Sequence, residues 1–586
     1  NAGDLCSRLC HGPSVGALEV TLGNGEMSNS ICEIEKPDCI RIFGYDAAAS
    51  HPIVARRILT AEARGAKSIV CDPRHIETAR IADLWLPLKN GSNMALVNAF
   101  ANVLINEGHY DKAYVARHTE GFEEFSKTVA KYTPEYVADI TGLSPKLIRD
   151  AMRIYAAAPS ATILWGMGVT QWGQGVDVVK GLSGLALLTG NLGRPNVGVG
   201  PVRGQNNVQG ACDMGALPNM FPGYQNVTDK AVLAKFADAW GVPELSDKIG
   251  YSLTDLPHKI KEGKIRANYV MGEDPLQTEP DLSMLRDAFN ELDLLIVQDI
   301  FMTKTAAIAD VILPATSWGE HEGVYTAADR GFQRFYKAVE PQGDVKPDWE
   351  IISLMATALG YPMHYNNTQE IWDELRALCP LYYGATYEKM AGLGYVPWPC
   401  PTEDSPGTPW LYAGNHFDRP GGKGLLLTAE WRPPMELVDE DYPLVLCTVR
   451  EVGHYSCRSM TGNCTALQTL ADEPGYVQVS PYDAERLGIH DQQLAWISSR
   501  RGKVISRVAV SERINKGAVY MTYQWWIGAC NELTLDHLDP VSKTPEYKHC
   551  AVKLEAIDDQ QAAENYVQQE YSQLKDRLRS TAENVC

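Results

Sequence analysis

A thiol and an imidazole stand side by side near the start of the chain, in Cys10-His11-Gly12-Pro13-Ser14. Thiolate is a soft metal ligand and a nucleophile, and imidazole is the side chain that changes charge nearest neutral pH. Alone the pair is thin support for a site, because neighbouring side chains on an extended segment point opposite ways and an isolated Cys is usually a small buried hydrophobe. A second run, Val202-Arg203-Gly204-Gln205-Asn206-Asn207-Val208-Gln209-Gly210, sets one Arg and four amides between glycines. The guanidinium fork matches a carboxylate, the amides can read the edge of a heterocycle, and glycine lets backbone approach a ligand closely. The bland alternative is a polar surface loop, although so many amides without Lys or Glu is unusual for one. Asp72 and Asp299 each follow an apolar, strand-like run. Either could take the paired donors of a guanine edge or ribose hydroxyls, or simply cap the next helix. Two further runs, Arg450 to Cys457 and Tyr523-Gln524-Trp525-Trp526, mix charged, aromatic and amide groups; clustered Trp is usually core, and here both readings stay open.

Much of this sits on a repeat. Thr78-Ala79-Arg80-Ile81-Ala82-Asp83-Leu84-Trp85-Leu86-Pro87 is echoed by Thr305-Ala306-Ala307-Ile308-Ala309-Asp310-Val311-Ile312-Leu313-Pro314. Upstream and in step, Ile69-Val70-Cys71-Asp72 matches Ile296-Val297-Gln298-Asp299, and Gly44 to Asp46 matches Gly272 to Asp274. In the first copy the order is a strand over 39–43, a helix with Ser50 as N-cap, Pro52 in its first turn and Gly65 as its stop, then a strand over 68–70. Strand, helix, strand is a βαβ unit with a parallel sheet, whose ligands bind beyond the strands' carboxyl ends. Two such units predict one large ligand held at both ends, or two copies of one ligand. Residues 94–187 read as mainly helical with one strand at 161–165, and the second copy has strands at 268–271 and 294–297 around a helix at 281–291. A Pro- and Gly-rich connection over 385–435 leads to short alternating strands from Tyr442, with a hairpin at 494–510. The tail, 558–580, reads as an amphipathic helix with Tyr566, Val567, Tyr571, Leu574 and Leu578 on its apolar side.

Bulk composition sets outer bounds. With 586 residues, 45% apolar and 22% charged, the chain is globular and too long for a single core. A net charge of −20 argues against a nucleic-acid surface. No apolar run spans a bilayer, and Asn-Ala-Gly-Asp at the start is no export signal. The 14 Cys are scattered, with no pair at CxxC spacing, which favours a reducing, cytoplasmic setting. There is no P-loop, and Gly166-Met167-Gly168 lacks the dinucleotide-fingerprint spacing.

Taken together and in order, Cys10 to Val15, Arg203 to Gly215, Gly272-Glu273-Asp274-Pro275-Leu276-Gln277-Thr278 and Arg450 to Cys457 resemble the molybdopterin oxidoreductase superfamily, and within it the formate dehydrogenase catalytic subunits. The resemblance runs along essentially the whole chain. It implies an α/β fold: two related dinucleotide-binding-like units with parallel sheets, over 1–205 and 206–317, and a C-terminal six-stranded-type β-barrel over 436–557 that caps the cofactor. Between them would lie a connecting region, 318–435, belonging in part with the family's N-terminal cluster domain, and 558–586 would be a terminal helix. The implied cofactor is Mo or W between two molybdopterin guanine dinucleotides. Cys10 matches the metal-ligand position, selenocysteine or cysteine in this family, His11 the proton-handling His, and Arg203 the Arg that orients formate. By position Cys71, Asp72, Arg74 and Gly91 would serve one dinucleotide. Gly168, Gln171, Gln205, Asp274, Thr278, Gln298, Asp299 and Asp348 would serve the other, with Arg450, Glu451, His454, Tyr523, Tyr547 and Lys548 closing over both.

The implied reaction converts formate to CO2, with two electrons leaving to an iron–sulfur partner subunit, as in complexes that pass them on to a hydrogenase. Family members also carry a four-Cys segment for a [4Fe–4S] cluster followed by a Lys; neither is in this sequence, and Cys6 and Cys10 have no partners at cluster spacing. Asp46 and Ala49 stand where close relatives carry Asn and Asp. Two rival readings are a nitrate-reductase-like member, opposed by His11 and by the Gly-Gln-Asn-Asn context of Arg203, and a non-catalytic cofactor-binding remnant, opposed by the retention of Cys10, His11 and Arg203.

Overall fold

The computed structural model describes residues 3–470 and 472–585. Helix α1 (Gly12–Leu22) leads into a sheet of five parallel strands: β1 (Cys39–Phe43), β2 (Lys67–Cys71), β3 (Leu84–Leu86), β4 (Ala161–Trp165) and β5 (Gly198–Pro201), in spatial order β3-β2-β1-β4-β5. Strands β1 and β4 are buried along their whole length, which is why they read as unbroken apolar runs rather than as alternation. Helix α2 (Pro52–Ala63) makes the β1–β2 crossover, with Pro52 in its first turn and Gly65 just beyond its end at φ 97°. His51, not Ser50, precedes it, because Ala47–Ser50 closes a separate short helix capped by Asp46. Helices α3 (Asn93–Asn106) and α4 (Gly175–Thr189) are buried nearly all round; they and α1 form the main core.

The repeat folds as a repeat. Helix α5 (Val208–Asp213) is followed by a second parallel sheet, β6 (Ala267–Met271), β7 (Leu294–Asp299) and β8 (Val311–Pro314), in order β8-β7-β6, with helix α6 (Leu282–Phe289) between β6 and β7. Gly44 and Gly272, at φ 54° and 62°, each turn the chain after the first strand and donate N–H to the carbonyl of the neighbouring strand's end, Cys71 or Gln298, both at 2.9 Å. Asp83 Oδ2 accepts the N–H of Ser68 at 2.9 Å, and Asp310 Oδ2 accepts that of Leu295 at 2.7 Å. The repeated Asp of the Ala-Asp pair thus ties down the start of the middle strand, at the end opposite to the ligand-facing loops.

The Pro- and Gly-rich connection is a strap rather than a spacer. Leu411, Tyr412, Phe417 and Leu426 sit in the core of the first unit, and Gly424–Leu425 pairs with Thr119–Glu120. Beyond it six strands close a barrel: β9 (Leu444–Thr448), β10 (Tyr476–Val479), β11 (Leu494–Ser498), β12 (Lys503–Val510), β13 (Ala518–Met521) and β14 (Cys550–Ala556), in order β9-β13-β10-β12-β11-β14. The expected hairpin is β11–β12, closed at Ser498↔Lys503. Helix α7 (Gln560–Val585) lays Ala563 and Val567 on Leu494 and Ile505. Val567 and Leu574 are buried as expected of its apolar side, whereas Tyr566 is 42% exposed and meets the Trp496 ring at a tilt. Among the described residues no helix is long and apolar enough to cross a membrane.

Candidate active site

In the first sheet the strand order reverses between β1 and β4, the place where open parallel sheets bind ligands. The loops leaving the carboxyl ends of β1, β2, β4 and β5 (Gly44 to Asp46, Cys71 to Arg74, Gly166 to Gly168, and Val202, Gly204 and Gln205) form one wall of a cavity of about 280 Å³, which the Arg203 between them does not line. Two of them touch through glycine: Gly168 donates its N–H to the Gly44 carbonyl at 3.0 Å, and a Cβ on Gly44 would meet the Gly168 backbone at 2.6 Å. The facing wall comes from the barrel, with Cys447 to Ser456, Tyr520, Gln524 and Lys548. A smaller cavity of about 30 Å³ holds Cys10. Gln205, Arg450 and Lys548 line both spaces and so mark their junction.

Cys10 is held by its backbone. The short turn Cys6–Leu9 ends in its N–H bond to the Ser7 carbonyl, Thr170 Oγ1 donates to its carbonyl, and Gln171 Nε2 donates to the Leu9 carbonyl at 2.6 Å. Burial pushes the thiol up, opposed by Arg450, by the N–H of Gly204, by Arg203 and by Lys548. Three cations and an amide around one buried sulfur oppose that rise without cancelling it; the thiolate is the form that binds a metal.

His11 stands at the N-cap of α1. Its Nδ1 shares a hydrogen bond with Ser14 Oγ at 3.0 Å, which Trp165 Nε1 also reaches at 3.0 Å. Its Nε2 is buried with no hydrogen-bond partner among the described residues by distance and angle, and burial, then Arg203 and His51, lowers its pKa to about 3 against a weaker opposing pull from the Val202 backbone. The ring is therefore neutral, with one nitrogen free to exchange a proton. Arg203 is 3% exposed; its Nη2 donates to the Gly25 carbonyl at 3.1 Å, while Nε and Nη1 have no hydrogen-bond partner among the described residues. His51 Nε2 lies 2.7 Å from the Arg203 carbonyl, and the N–H of Asn206 donates to Tyr455 on the barrel side at 2.9 Å. A Cβ on Gly204 would meet nothing within 4 Å, so open space borders the guanidinium's own loop.

The residues expected to hold cofactor fall in four places, the first two of which share Gln205, Arg450 and Lys548. Cys71, Asp72, Arg74, Gly168, Gln205, Arg450, Glu451, His454 and Lys548 line the large cavity. Burial raises Asp72 to about 6 against the opposing pull of Arg74, whose N–H its Oδ1 accepts at 2.9 Å. Arg74 reaches Asp46 at 3.5 Å and stacks over Tyr520, so a second carboxylate lies beside that guanidinium. Gln171, Gln205, Thr278, Arg450, Tyr523, Tyr547 and Lys548 line the small cavity; Tyr547 donates to the Thr278 carbonyl at 2.8 Å, and Arg450 lies over the Tyr523 ring. Asp274, Gln298, Asp299 and Asp348 gather in and beside the second unit but line neither space. Asp274 accepts from Thr305 Oγ1 at 2.6 Å and Thr305 N at 2.9 Å, Gln298 Nε2 donates to Asp348, and Asp299 Oδ1 accepts the N–H of Ile300 at 2.7 Å. Gly91 lies apart, on a third cavity beside Trp172 and Pro434.

Sequence reasoning passed over His51, Glu273 and Cys6. His51 lines the large cavity, and Glu273 and Cys6 line the small one. Burial raises Glu273 to about 7 although its Oε1 accepts from Thr278 Oγ1 at 3.0 Å. Its position inside the Gly272 to Thr278 run was a usable signal; nothing local marked the other two.

Comparison with known proteins agrees with this layout. Residues 2–358 match the family model "Molybdopterin oxidoreductase", and residues 444–551 match "Molydopterin dinucleotide binding domain". The chain belongs to the molybdopterin oxidoreductase family. It is 63% identical to formate dehydrogenase H of Escherichia coli (strain K12), over 99% of this chain and 81% of that protein. It is 42% identical to a formate dehydrogenase subunit alpha of Methanococcus maripaludis, over 94% of this chain and 82% of that one. Acetylene hydratase from Pelobacter acetylenicus shares the fold at a TM-score of 0.75 and 20% identity, over 94% of this chain and 82% of the other. The α/β units and the closed barrel are thus the architecture of this family.

Proposed function

We propose that this enzyme oxidises formate to CO2, two electrons and a proton, and passes the electrons to an iron–sulfur partner in the cytoplasm. The observation that carries the reading is that Cys10 lines the small cavity and His11 the large one, with Arg203 buried close enough to act on the charge of both, while His11 Nε2, Arg203 Nε and Nη1, and Gln205 Oε1 are buried without hydrogen-bond partners among the described residues. Buried polar atoms without partners are costly, and such a cluster fits a polar ligand that satisfies them. Mo or W between two molybdopterin guanine dinucleotides suits the donor set: a soft thiolate for the metal, Arg74, Arg450 and Lys548 for phosphate and pterin oxygens, and carboxylates such as Asp72 and Asp299 for guanine edges. Bound there, the group supplies a two-electron acceptor.

The chain's own residues do the rest. Arg203 takes the carboxylate of formate with its free N–H groups, offsets its charge and fixes where the C–H bond points. Cys10 anchors the acceptor beside it. Neutral His11 exchanges the reaction's proton at Nε2, its ring set by Ser14 and Trp165. The walls formed by Val202 and by the Arg450 to Ser456 loop exclude bulk water. The test is dye-linked activity of the full-length, anaerobically purified holoenzyme with formate and with nitrate, at measured Mo, W and Fe per chain. Formate turnover scaling with Mo or W and abolished in Cys10→Ala is expected; nitrate turnover without formate turnover would overturn the reading.

A further inference from the structure

Arg203 stands on a loop between β5 and α5, so the aim of its guanidinium depends on where that backbone is held. Three contacts hold it. The N–H of Val202, one residue earlier, donates to the Trp165 carbonyl at 3.0 Å. Arg203 Nη2 donates to the Gly25 carbonyl at 3.1 Å. Between these two, His51 Nε2 meets the carbonyl of Arg203 itself at 2.7 Å. The first contact continues the sheet and the second fixes the tip of the side chain. The third reaches across from the start of α2, and the chemistry so far gives it nothing to do. Gly204 follows, and a Cβ there would meet nothing within 4 Å, so the peptide between Arg203 and Gly204 has room to turn. The N–H of that peptide is the amide that faces the Cys10 sulfur. A trans peptide points its carbonyl and N–H opposite ways, so one plane faces His51 on one side and Cys10 on the other.

The imidazole comes from a rigid place. The N–H of His51 donates to the Ala47 carbonyl at 2.8 Å, and its own carbonyl accepts the N–H of Ala55 at 3.0 Å. Its ring lies 5.4 Å from the Tyr45 ring, and both residues line the large cavity. A carbonyl only accepts, so Nε2 carries the hydrogen. Burial lowers the pKa of His51, the Arg203 carbonyl raises it, and the charge of Arg450 lowers it. The ring is therefore neutral, and Nδ1 is buried bare, with no hydrogen-bond partner among the described residues. A carbonyl neither takes nor gives a proton near neutral pH, so this ring holds its neighbour and relays nothing.

We infer that His51 is a positioning residue for Arg203: its Nε2–H fixes the Arg203–Gly204 peptide and with it the direction of the guanidinium's free donors. This rests on the reading that Arg203 receives the carboxylate of formate. A positive charge attracts an anion from any nearby position, whereas aiming a C–H bond needs the donors in one place, so a loosened loop costs rate before it costs binding.

The test uses full-length, anaerobically purified holoenzyme, with rates and azide inhibition expressed per Mo or W. Gln carries its side-chain N–H about as far from the backbone as imidazole Nε2, and Asn about as far as Nδ1. His51→Asn and His51→Leu should lower kcat for formate about tenfold, the loss expected for one hydrogen bond. The inhibition constant of azide should stay within about threefold, because an anion with no C–H bond to aim needs only the charge. His51→Gln should recover most of the loss, and His51→Leu should cost no further rate when combined with Arg203→Lys. His51→Gln no better than His51→Asn, an azide constant raised as much as kcat falls, or a His51→Leu loss retained in full on top of Arg203→Lys overturns the role of His51. So does a deficit that lies wholly in metal per chain, which would put His51 on the cofactor instead. Should His51→Leu not fold, His51→Gln against His51→Asn decides alone. Arg203→Lys by itself separates the two readings: kcat/KM near wild type removes Arg203 as the receptor, whereas a large loss there with His51→Asn behaving as wild type removes His51 alone.

Discussion

Replacing Arg203 by Lys keeps a positive charge in the site and removes the planar fork. In the structure Arg203 spends one donor on the Gly25 carbonyl and leaves Nε and Nη1 for a ligand. A hydrogen bond to a charged group is worth about 1.5–3 kcal/mol, so losing two costs about 3–6 kcal/mol. At about 1.4 kcal/mol per factor of ten, kcat/KM for formate should fall by about 10²- to 10⁴-fold. The assay is formate-dependent reduction of a viologen dye, with rates normalised to Mo or W content so that a loading defect does not pass for a chemical one. A loss confined to KM would mean that Arg203 binds formate equally well before and during reaction; a loss in kcat as well would mean that it aligns the reacting C–H bond. The substituted ammonium cannot both keep the Gly25 bond and reach the substrate with the same geometry, so partial rescue by the retained charge should be small. A kcat/KM within about threefold of wild type would refute the assignment of the substrate carboxylate to this guanidinium.

Two further outcomes follow from the same geometry. Gly44→Ala should abolish cofactor loading and lower the thermal midpoint, because its Cβ would meet Gly168 backbone at 2.6 Å in a turn at φ 54°. Its repeat partner Gly272→Ala meets nothing within 4 Å and should suffer only the strain of its positive φ, about 1–2 kcal/mol; equal losses in the two would contradict the close packing of the first unit's mouth. For Glu273, burial raises the carboxyl to about 7, so the folded chain binds its proton more tightly than the unfolded chain does. Stability is therefore greatest below the unfolded value and falls as pH rises through about 7, by about 3 kcal/mol at most. Glu273→Gln should flatten that fall in thermal midpoints of cofactor-free protein between about pH 5 and pH 8, and unchanged slopes would remove the buried acid as its cause.

The repeat was legible as a fold because its signals are local. Apolar strand runs, the Gly44 and Gly272 turns and the Pro52 helix start depend on backbone sterics within a few residues. The roles inside the repeat were less legible. Asp83 and Asp310 are as well matched as Asp72 and Asp299, yet the first pair ties down strand starts and only Asp72 lines the large cavity. Spacing alone does not say which end of a strand a carboxylate will face. Likewise Ser50 carries the right chemistry for an N-cap, but a short extra helix moves that position to His51.

The order of elements, the parallel sheets and the alternating strands after Tyr442 were determined by the chain alone, since each is written in short-range patterns of polarity and turn chemistry; that those strands close a barrel was implied only by the family resemblance. Only the tertiary structure decided that Cys10, Arg450 and Lys548 line one small space, that Gly91 faces another, and that Arg203 is buried with donors that have no partner among the described residues. Those facts depend on how sheet, strap and barrel pack against one another. Burial, not sequence spacing, then sets which of these charged groups need a partner and which of them lack one.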